Sequence, residues 1–224
     1  MMKPDGKVVI LGDVNVGKSS LLQRYSERRF QDTSSTVGAA FYLKHRGAHS
    51  ISIWDTAGRE QFHGLGSLYC RGAAAVILTY DVTSRQSLRE LEDRFLALTE
   101  SAQPGCIFAV AGNKTDLTDE CVQPGAEGEG EPRPRAQKQV SRQDAISLYK
   151  QLLLYRMLEE GDLPAAETVC FETSAKTGHN VDLLFETVLD LVVASIVKKP
   201  KEPPETVDLG HSNKQKKPRT ACCT

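Results

Sequence analysis

Eight residues near the N-terminus, Gly12-Asp13-Val14-Asn15-Val16-Gly17-Lys18-Ser19, leave few folds open. They follow an apolar run at 8–12 that reads as a strand, and they open a helix-period stretch at 17–28. The pattern GxxxxGK[ST] between a strand and a helix is a phosphate-binding loop. Its glycines let the backbone curl so that successive N–H groups face a polyphosphate at a helix N-terminus. Lys18 reaches the β- and γ-phosphates as a point charge, and the Ser19 hydroxyl is a ligand for Mg²⁺. The backbone from Gly12 through Asp13, Val14, Asn15, Val16 and Gly17, with Ser20 after Ser19, completes the candidate nucleotide site.

The rest of the chain alternates strand and helix signals in the way such a loop requires. Apolar runs at 51–55, 75–81, 107–112 and 169–172 read as strands, and 41–46 reads as a further strand joined to 51–55 by a hairpin. Helical periods fall at 88–101, 142–157 and 180–197. Mostly unalternated apolar strands separated by helices predict an α/β fold, a parallel sheet covered on both faces, with ligands at the carboxyl ends of its strands. With 224 residues, the chain has room for one domain plus appendages. Residues 118–139, rich in Gly, Pro and Glu, read as a disordered insertion within a domain spanning 1–197. Residues 198–224 read as a flexible tail, with seven basic residues against three acidic ones.

Two further motifs choose the nucleotide. Asn113-Lys114-Thr115-Asp116 ends the fifth strand, and the Asp116 carboxylate can accept from guanine N1–H and the 2-amino group together. Adenine offers no such pair of donors. Ser174-Ala175-Lys176, after the last strand, would add a backbone N–H to guanine O6. Asp55-Thr56-Ala57-Gly58 follows the third strand: Asp55 would hold Mg²⁺ through water, and the Gly58 N–H would reach the γ-phosphate. Thr36 is a further hydroxyl for Mg²⁺ when a γ-phosphate is present. Phe30 has two readings, stacking on the guanine edge or ordinary core packing.

Together these residues resemble the Ras superfamily of small GTPases, across residues 7–197 apart from the insertion. Trp54-Asp55-Thr56-Ala57-Gly58, Tyr69-Cys70-Arg71-Gly72-Ala73 and the terminal Cys222-Cys223-Thr224 narrow the resemblance to its Rab branch. It implies the P-loop small-GTPase fold: six strands, one of them antiparallel, five main helices, and switch segments at 31–41 and 58–69. It further implies GTP, GDP and Mg²⁺ as ligands, and a GTP/GDP switch in vesicle trafficking. The catalytic set carried over is Lys18, Thr36, Gly58 and the residue after Gly58, and that residue departs from the pattern. The family usually has a Gln there that orients the attacking water; this chain has Arg59. Guanidinium has five donors and no acceptor, so weak intrinsic hydrolysis is expected. The alternative chemistry for Arg59 is an arginine finger stabilising charge on the phosphate. Val14 beside the γ-phosphate, and a first switch one residue shorter than usual between Phe30 and Thr36, are further departures.

The tail implies a membrane. A Cys222-Cys223 ending resembles one that takes two geranylgeranyl groups, and two lipid chains anchor stably where one does not. The lysine cluster would add attraction to anionic lipids, or else serves only solubility. Phe41, Trp54 and Tyr69 match an aromatic triad that faces effectors; their bland reading is packing in the core. The resemblance also implies an exchange factor, a GTPase-activating protein, a GDP-dissociation inhibitor and a prenylation escort. The expected location is the cytoplasmic face of endosomes, phagosomes or Golgi vesicles, with a cytosolic pool; the segment 36–41 favours the endocytic members. A net charge of −1 argues against nucleic acid as a partner, and no signal peptide or transmembrane span is expected. Cys70, Cys106 and Cys170 are expected to fill core space. Two competing functions stay open at this point: a P-loop nucleotide kinase, and a GTP-locked scaffold with negligible turnover.

Overall fold

The computed structural model describes residues 4–31, 36, 38–58, 66–118, 136–158, 161 and 163–198. Six strands form one sheet: β1 (Gly6–Leu11), β2 (Ala39–Arg46), β3 (His49–Thr56), β4 (Ala75–Asp81), β5 (Ile107–Asn113) and β6 (Cys170–Glu172). Their order is β2-β3-β1-β4-β5-β6, and every pairing is parallel except the antiparallel β2–β3 hairpin. The central strands are apolar throughout because both faces are covered; every residue of β4 and β5 is buried. β2 is the edge strand and is exposed over most of its length.

The helices are α1 (Lys18–Glu27), α2 (Gly66–Cys70), α3 (Arg85–Glu90), α4 (Leu96–Leu98), α5 (Arg142–Tyr155), α6 (Ala166–Val169) and α7 (Val181–Lys198). α1 and α7 pack together against one face of the sheet, while α3, α5 and the turns after α3 cover the other. In α7 the buried stripe Val181, Leu184, Phe185, Val188, Leu189 and Val192 follows the 3.6-residue period. α5 starts at a capping box in which Ser141 accepts from the Asp144 N–H and Asp144 accepts from the Ser141 N–H. Cys70, Cys106 and Cys170 are free thiols and all buried, as expected of small core fillers. Burial pushes the Cys70 thiol up to about 11 and the Cys170 thiol up to about 12.

One helix departs from its expected form. The period at 88–101 becomes α3, a π-turn at Leu91–Phe95, α4, and a 3₁₀ turn at Thr99–Ser101. It starts earlier because Ser84 accepts the Ser87 N–H and caps three polar residues that carry no apolar signal. Val169, expected to open the last strand, ends α6 instead. Thr118 and residues 136–139, expected at the edges of the insertion, are tied to the domain. The Ala136 N–H donates to Leu117 O at 3.1 Å, the Gln139 N–H to Val82 O at 2.9 Å, and Lys138 pairs with Glu172 at 2.7 Å. The remainder, 119–135, lies outside the described residues, as does the tail from Lys199 onward.

The β2–β3 hairpin is clamped to α7. Arg46 pairs with Glu186 and with Asp190, the latter at 2.6 Å, while the Tyr25 hydroxyl donates to Glu186 at 2.6 Å. Tyr25 also stacks on Phe185 with ring centroids 4.5 Å apart, and Lys44 Nζ stands 4.7 Å from the Tyr25 ring. Exposed ion pairs contribute ~0–1 kcal/mol each; the Tyr25–Phe185 stack, at about 0.5–1.5 kcal/mol, holds α1 to α7 beside this clamp.

Candidate functional site

The strand order reverses at β1, and a ligand crevice in such a sheet lies beyond the carboxyl ends of the strands at that reversal. The loops after β1, β3, β4, β5 and β6 all leave the sheet at this end, and they bring the expected site residues together. Gly12 to Gly17 form the loop after β1, with Asn15 at φ 61° and Gly17 at φ 95°. Such left-handed positions turn consecutive N–H groups inward, the geometry of an anion nest. Gly17 could carry no side chain for a second reason: a Cβ there would lie 2.4 Å from Asn113 Nδ2.

Lys18 is buried, and its Nζ donates to Gly12 O at 2.8 Å and Asp13 O at 2.7 Å. Burial pushes its ammonium down to about 8, against the opposing pull of Asp55 and Asp13. Beside it three oxygen groups converge. Ser19 Oγ donates to Asp55 Oδ2 at 2.6 Å, Thr36 Oγ1 donates to the same oxygen at 3.1 Å, and the two hydroxyls are 2.9 Å apart. Asp55 Oδ1 is buried with no hydrogen-bond partner. Burial raises the Asp55 carboxyl above the ordinary range, while Ser19, Lys18 and Thr36 pull it down. Two hydroxyls and a carboxylate with an unsatisfied buried oxygen are a hard-oxygen donor set of the kind Mg²⁺ takes, so the residues present fit that ion.

On the far side of the loop stands the base-recognition cluster. Asn113 Nδ2 donates to Val16 O at 2.9 Å, and Asn113 Oδ1 accepts from the Ala175 N–H at 3.1 Å. One buried amide thereby staples the phosphate loop to Ser174-Ala175-Lys176. The Ser174 hydroxyl donates to Asp116 Oδ1 at 2.5 Å and accepts from the Thr177 N–H at 3.1 Å. Lys114, in the left-handed region at φ 70°, pairs with Asp81 at 2.7 Å. Asp81 also accepts from the Thr83 N–H and hydroxyl, at 2.8 and 2.7 Å. Phe30 is 44% exposed, which removes the core-packing reading for it.

Sequence reasoning missed Asp81 and Arg24. An acid ending an apolar strand at the ligand edge was a signal for Asp81; Arg24, on the polar side of an ordinary helix period, gave none. Arg59 and Val37 lie outside the described residues, as do Cys222 and Cys223; Val14 is described and 39% exposed.

The aromatic triad is assembled at the rim of the core, with Trp54 and Tyr69 partly buried against it and Phe41 outside. Phe41 and Trp54 face each other across the β2–β3 pair, ring centroids 5.6 Å apart, and Tyr69 of α2 lies 6.3 Å from Trp54. Phe41 is 62% exposed. Lys7 Nζ sits 4.6 Å from the Trp54 ring centroid and donates to Arg71 O at 3.3 Å.

Comparison with known proteins agrees with this geometry. A model of the Ras family matches residues 7–194. The chain belongs to the Ras family, in its Rab branch. It is 61% identical to human (Homo sapiens) Ras-related protein Rab-20 over 233 residues, covering the whole of both chains. Its identity to the mouse (Mus musculus) protein of that name is also 61%, again over both full lengths. A tobacco (Nicotiana tabacum) Ras-related protein Rab5 is 32% identical over 226 residues, covering 98% of this chain and 96% of the relative. The chain is therefore a small GTPase of vesicle trafficking that hydrolyses GTP. That removes the nucleotide-kinase reading. Among the described residues, no helix is long and apolar enough to cross a membrane.

Proposed function

We propose that the chain is a membrane-anchored GTP/GDP switch of endocytic or phagosomal traffic, with weak intrinsic hydrolysis and a large GTP-bound fraction. The observation that carries the reading is the meeting at one sheet edge of a cation site, Ser19–Thr36–Asp55, and a base site, Asn113–Asp116–Ser174. Lys18 and the N–H groups of the loop take the phosphates. Asp116 accepts from the guanine edge and Phe30 covers it. Ser19, Thr36 and Asp55 would hold Mg²⁺, which when bound neutralises charge on the β- and γ-phosphates. Thr36 comes from the first switch and touches Asp55 on β3, so occupancy at the γ-phosphate can be read by the switch.

Effectors would dock on Phe41, Trp54 and Tyr69, where exposed aromatic area adjoins both switches. The exchange factor, activating protein and GDP-dissociation inhibitor of the family would act through the same surface. Nucleotide content tests the core of the proposal. The purified full chain should release guanine nucleotide on denaturation, mostly GTP, and should lose it within minutes of chelation by EDTA. A chain that purifies empty, or carries adenine nucleotide, would overturn it.

Anchoring is tested separately. Replacing Cys222 and Cys223 together by Ser should move the protein from the membrane fraction of cells to the soluble fraction, and replacing one should only weaken retention. One chain gives marginal binding with an association constant of about 10⁴ M⁻¹, which two chains exceed by far. Retention of the double variant on membranes would overturn the lipid assignment.

A further inference from the structure

Arg24 stands on α1, the helix that the phosphate loop opens, yet its guanidinium serves the opposite end of the site. Its Nε donates to Ala175 O at 2.7 Å, and one terminal nitrogen donates to Lys176 O. The other terminal nitrogen donates to Arg28 O at 3.1 Å, closing the last turn of its own helix. The fork is thus anchored on α1 while its free edge holds two consecutive carbonyls of the loop after β6. The side-chain stem runs behind that loop: a Cβ on Gly178 would lie 3.8 Å from Arg24 Cδ. The loop also closes on itself, with the Gly178 N–H on Ser174 O at 2.8 Å and the Ser174 N–H on His179 O at 3.1 Å.

The C=O and N–H of a planar trans peptide point in opposite directions. Holding the Ala175 carbonyl toward α1 therefore turns the Lys176 N–H away from it. Among the described residues that N–H meets no protein acceptor, whereas the Ala175 N–H is already given to Asn113 Oδ1. A planar guanidinium presents its donors in a fixed fork, so it holds these two carbonyls in one orientation.

We propose that Arg24 is a positioning residue for the 6-position of the base. It sets the peptide between Ala175 and Lys176 so that the Lys176 N–H donates to guanine O6, and it ties the base subsite to the phosphate subsite through one helix. The inference rests on the guanine reading given above. It assigns Arg24 to recognition of O6, leaving N1–H and the 2-amino group to Asp116.

The test is the release rate of three nucleotides from the full chain and from Arg24→Met and Arg24→Lys. GDP carries all the recognised groups. 6-Thioguanosine diphosphate keeps N1–H and the 2-amino group but replaces O6 by sulfur, a weak acceptor. Inosine diphosphate keeps O6 and lacks the 2-amino group. The parent should hold GDP longer than the thio analogue. In Arg24→Met, release of GDP and of inosine diphosphate should quicken about tenfold, the weight of one hydrogen bond at such a site. Release of the thio analogue should change little, so the advantage of O6 disappears. Arg24→Lys, whose shorter ammonium lacks the fixed fork that spans both carbonyls, should fall between. Equal quickening of all three nucleotides, or of none, would overturn the proposal. Equal retention of ADP and GDP by the parent would instead overturn the guanine reading beneath it.

Discussion

Asp116→Asn should exchange guanine for xanthine as the preferred base. The Asp116 carboxylate offers two acceptors, matched to two donors on guanine. Ser174 decides how an amide would sit in its place. Its hydroxyl accepts from the Thr177 N–H, so its own proton goes to Asp116 Oδ1. In the variant that proton fixes the amide oxygen at the Oδ1 position and leaves the NH₂ group where Oδ2 stood. One acceptor and one donor then face the base. Guanine meets this pair with two donors, and one of them is left opposed by a like group. Xanthine meets it with N1–H and a 2-carbonyl, and both are satisfied. Sites that hydrogen-bond a substrate group reject its analogue by roughly 10⁴-fold, so affinity for GDP should drop by about 10³-fold or more while that for xanthosine diphosphate rises. Competition between the two nucleotides for the purified variant measures the ratio directly. An unchanged guanine preference would remove Asp116 from the base site.

The same cluster marks how far a sequence carries a reader. Lys18, Ser19, Asp55, Asn113 and Asp116 were legible because each chemistry demands one residue type at one spacing, and strand-end positions could be read from apolar runs. The fold was legible for a related reason: β4 and β5 are buried on both faces, so their sequence runs apolar without interruption. What stayed hidden are the supports. Arg24 touches carbonyls of residues some 150 positions later, and a backbone carbonyl leaves no trace in a sequence. Asp81 holds Lys114, whose role in the motif conceals that it needs a partner of its own. The break of the 88–101 helix into α3, a π-turn and α4 was hidden as well, because one inserted residue shifts the apolar stripe without changing its composition. Phe41 is the opposite case, read as surface only through the family resemblance. An aromatic on a strand reads as core, and only the edge position of β2 exposes it.

The second large effect is expected at Arg59, the residue after Gly58, and at Val14 of the phosphate loop. Gly58 brings the second switch against the phosphate loop at backbone distance. A Cβ on Gly58 would lie 2.5 Å from Val14 N and 2.6 Å from Asp13 O. Residue 59 follows, in sequence, a Gly58 whose backbone lies against the residue pair 13–14. A Gln at 59 could hold the attacking water with its carbonyl and the phosphate with its NH₂. Arg59 offers donors only, so the water keeps no acceptor to orient its lone pair, while Val14 adds a branched side chain next to that water. The contacts proposed for guanine and Mg²⁺ use neither residue. Binding should thus be intact and intrinsic turnover slow, until a partner supplies an acceptor. Groups that position or relay a proton are worth roughly 10²–10⁴ in rate, which sets the scale for Arg59→Gln; Val14→Gly should add to it by clearing the approach. Single-turnover hydrolysis of prebound GTP by the parent, each variant and the double variant measures both contributions. A parent that already turns over as fast as the Arg59→Gln variant would mean that Arg59 stabilises phosphate charge in the manner of an arginine finger. In that event the chain would cycle unaided, and a persistent GTP-bound state would have no basis in its own residues.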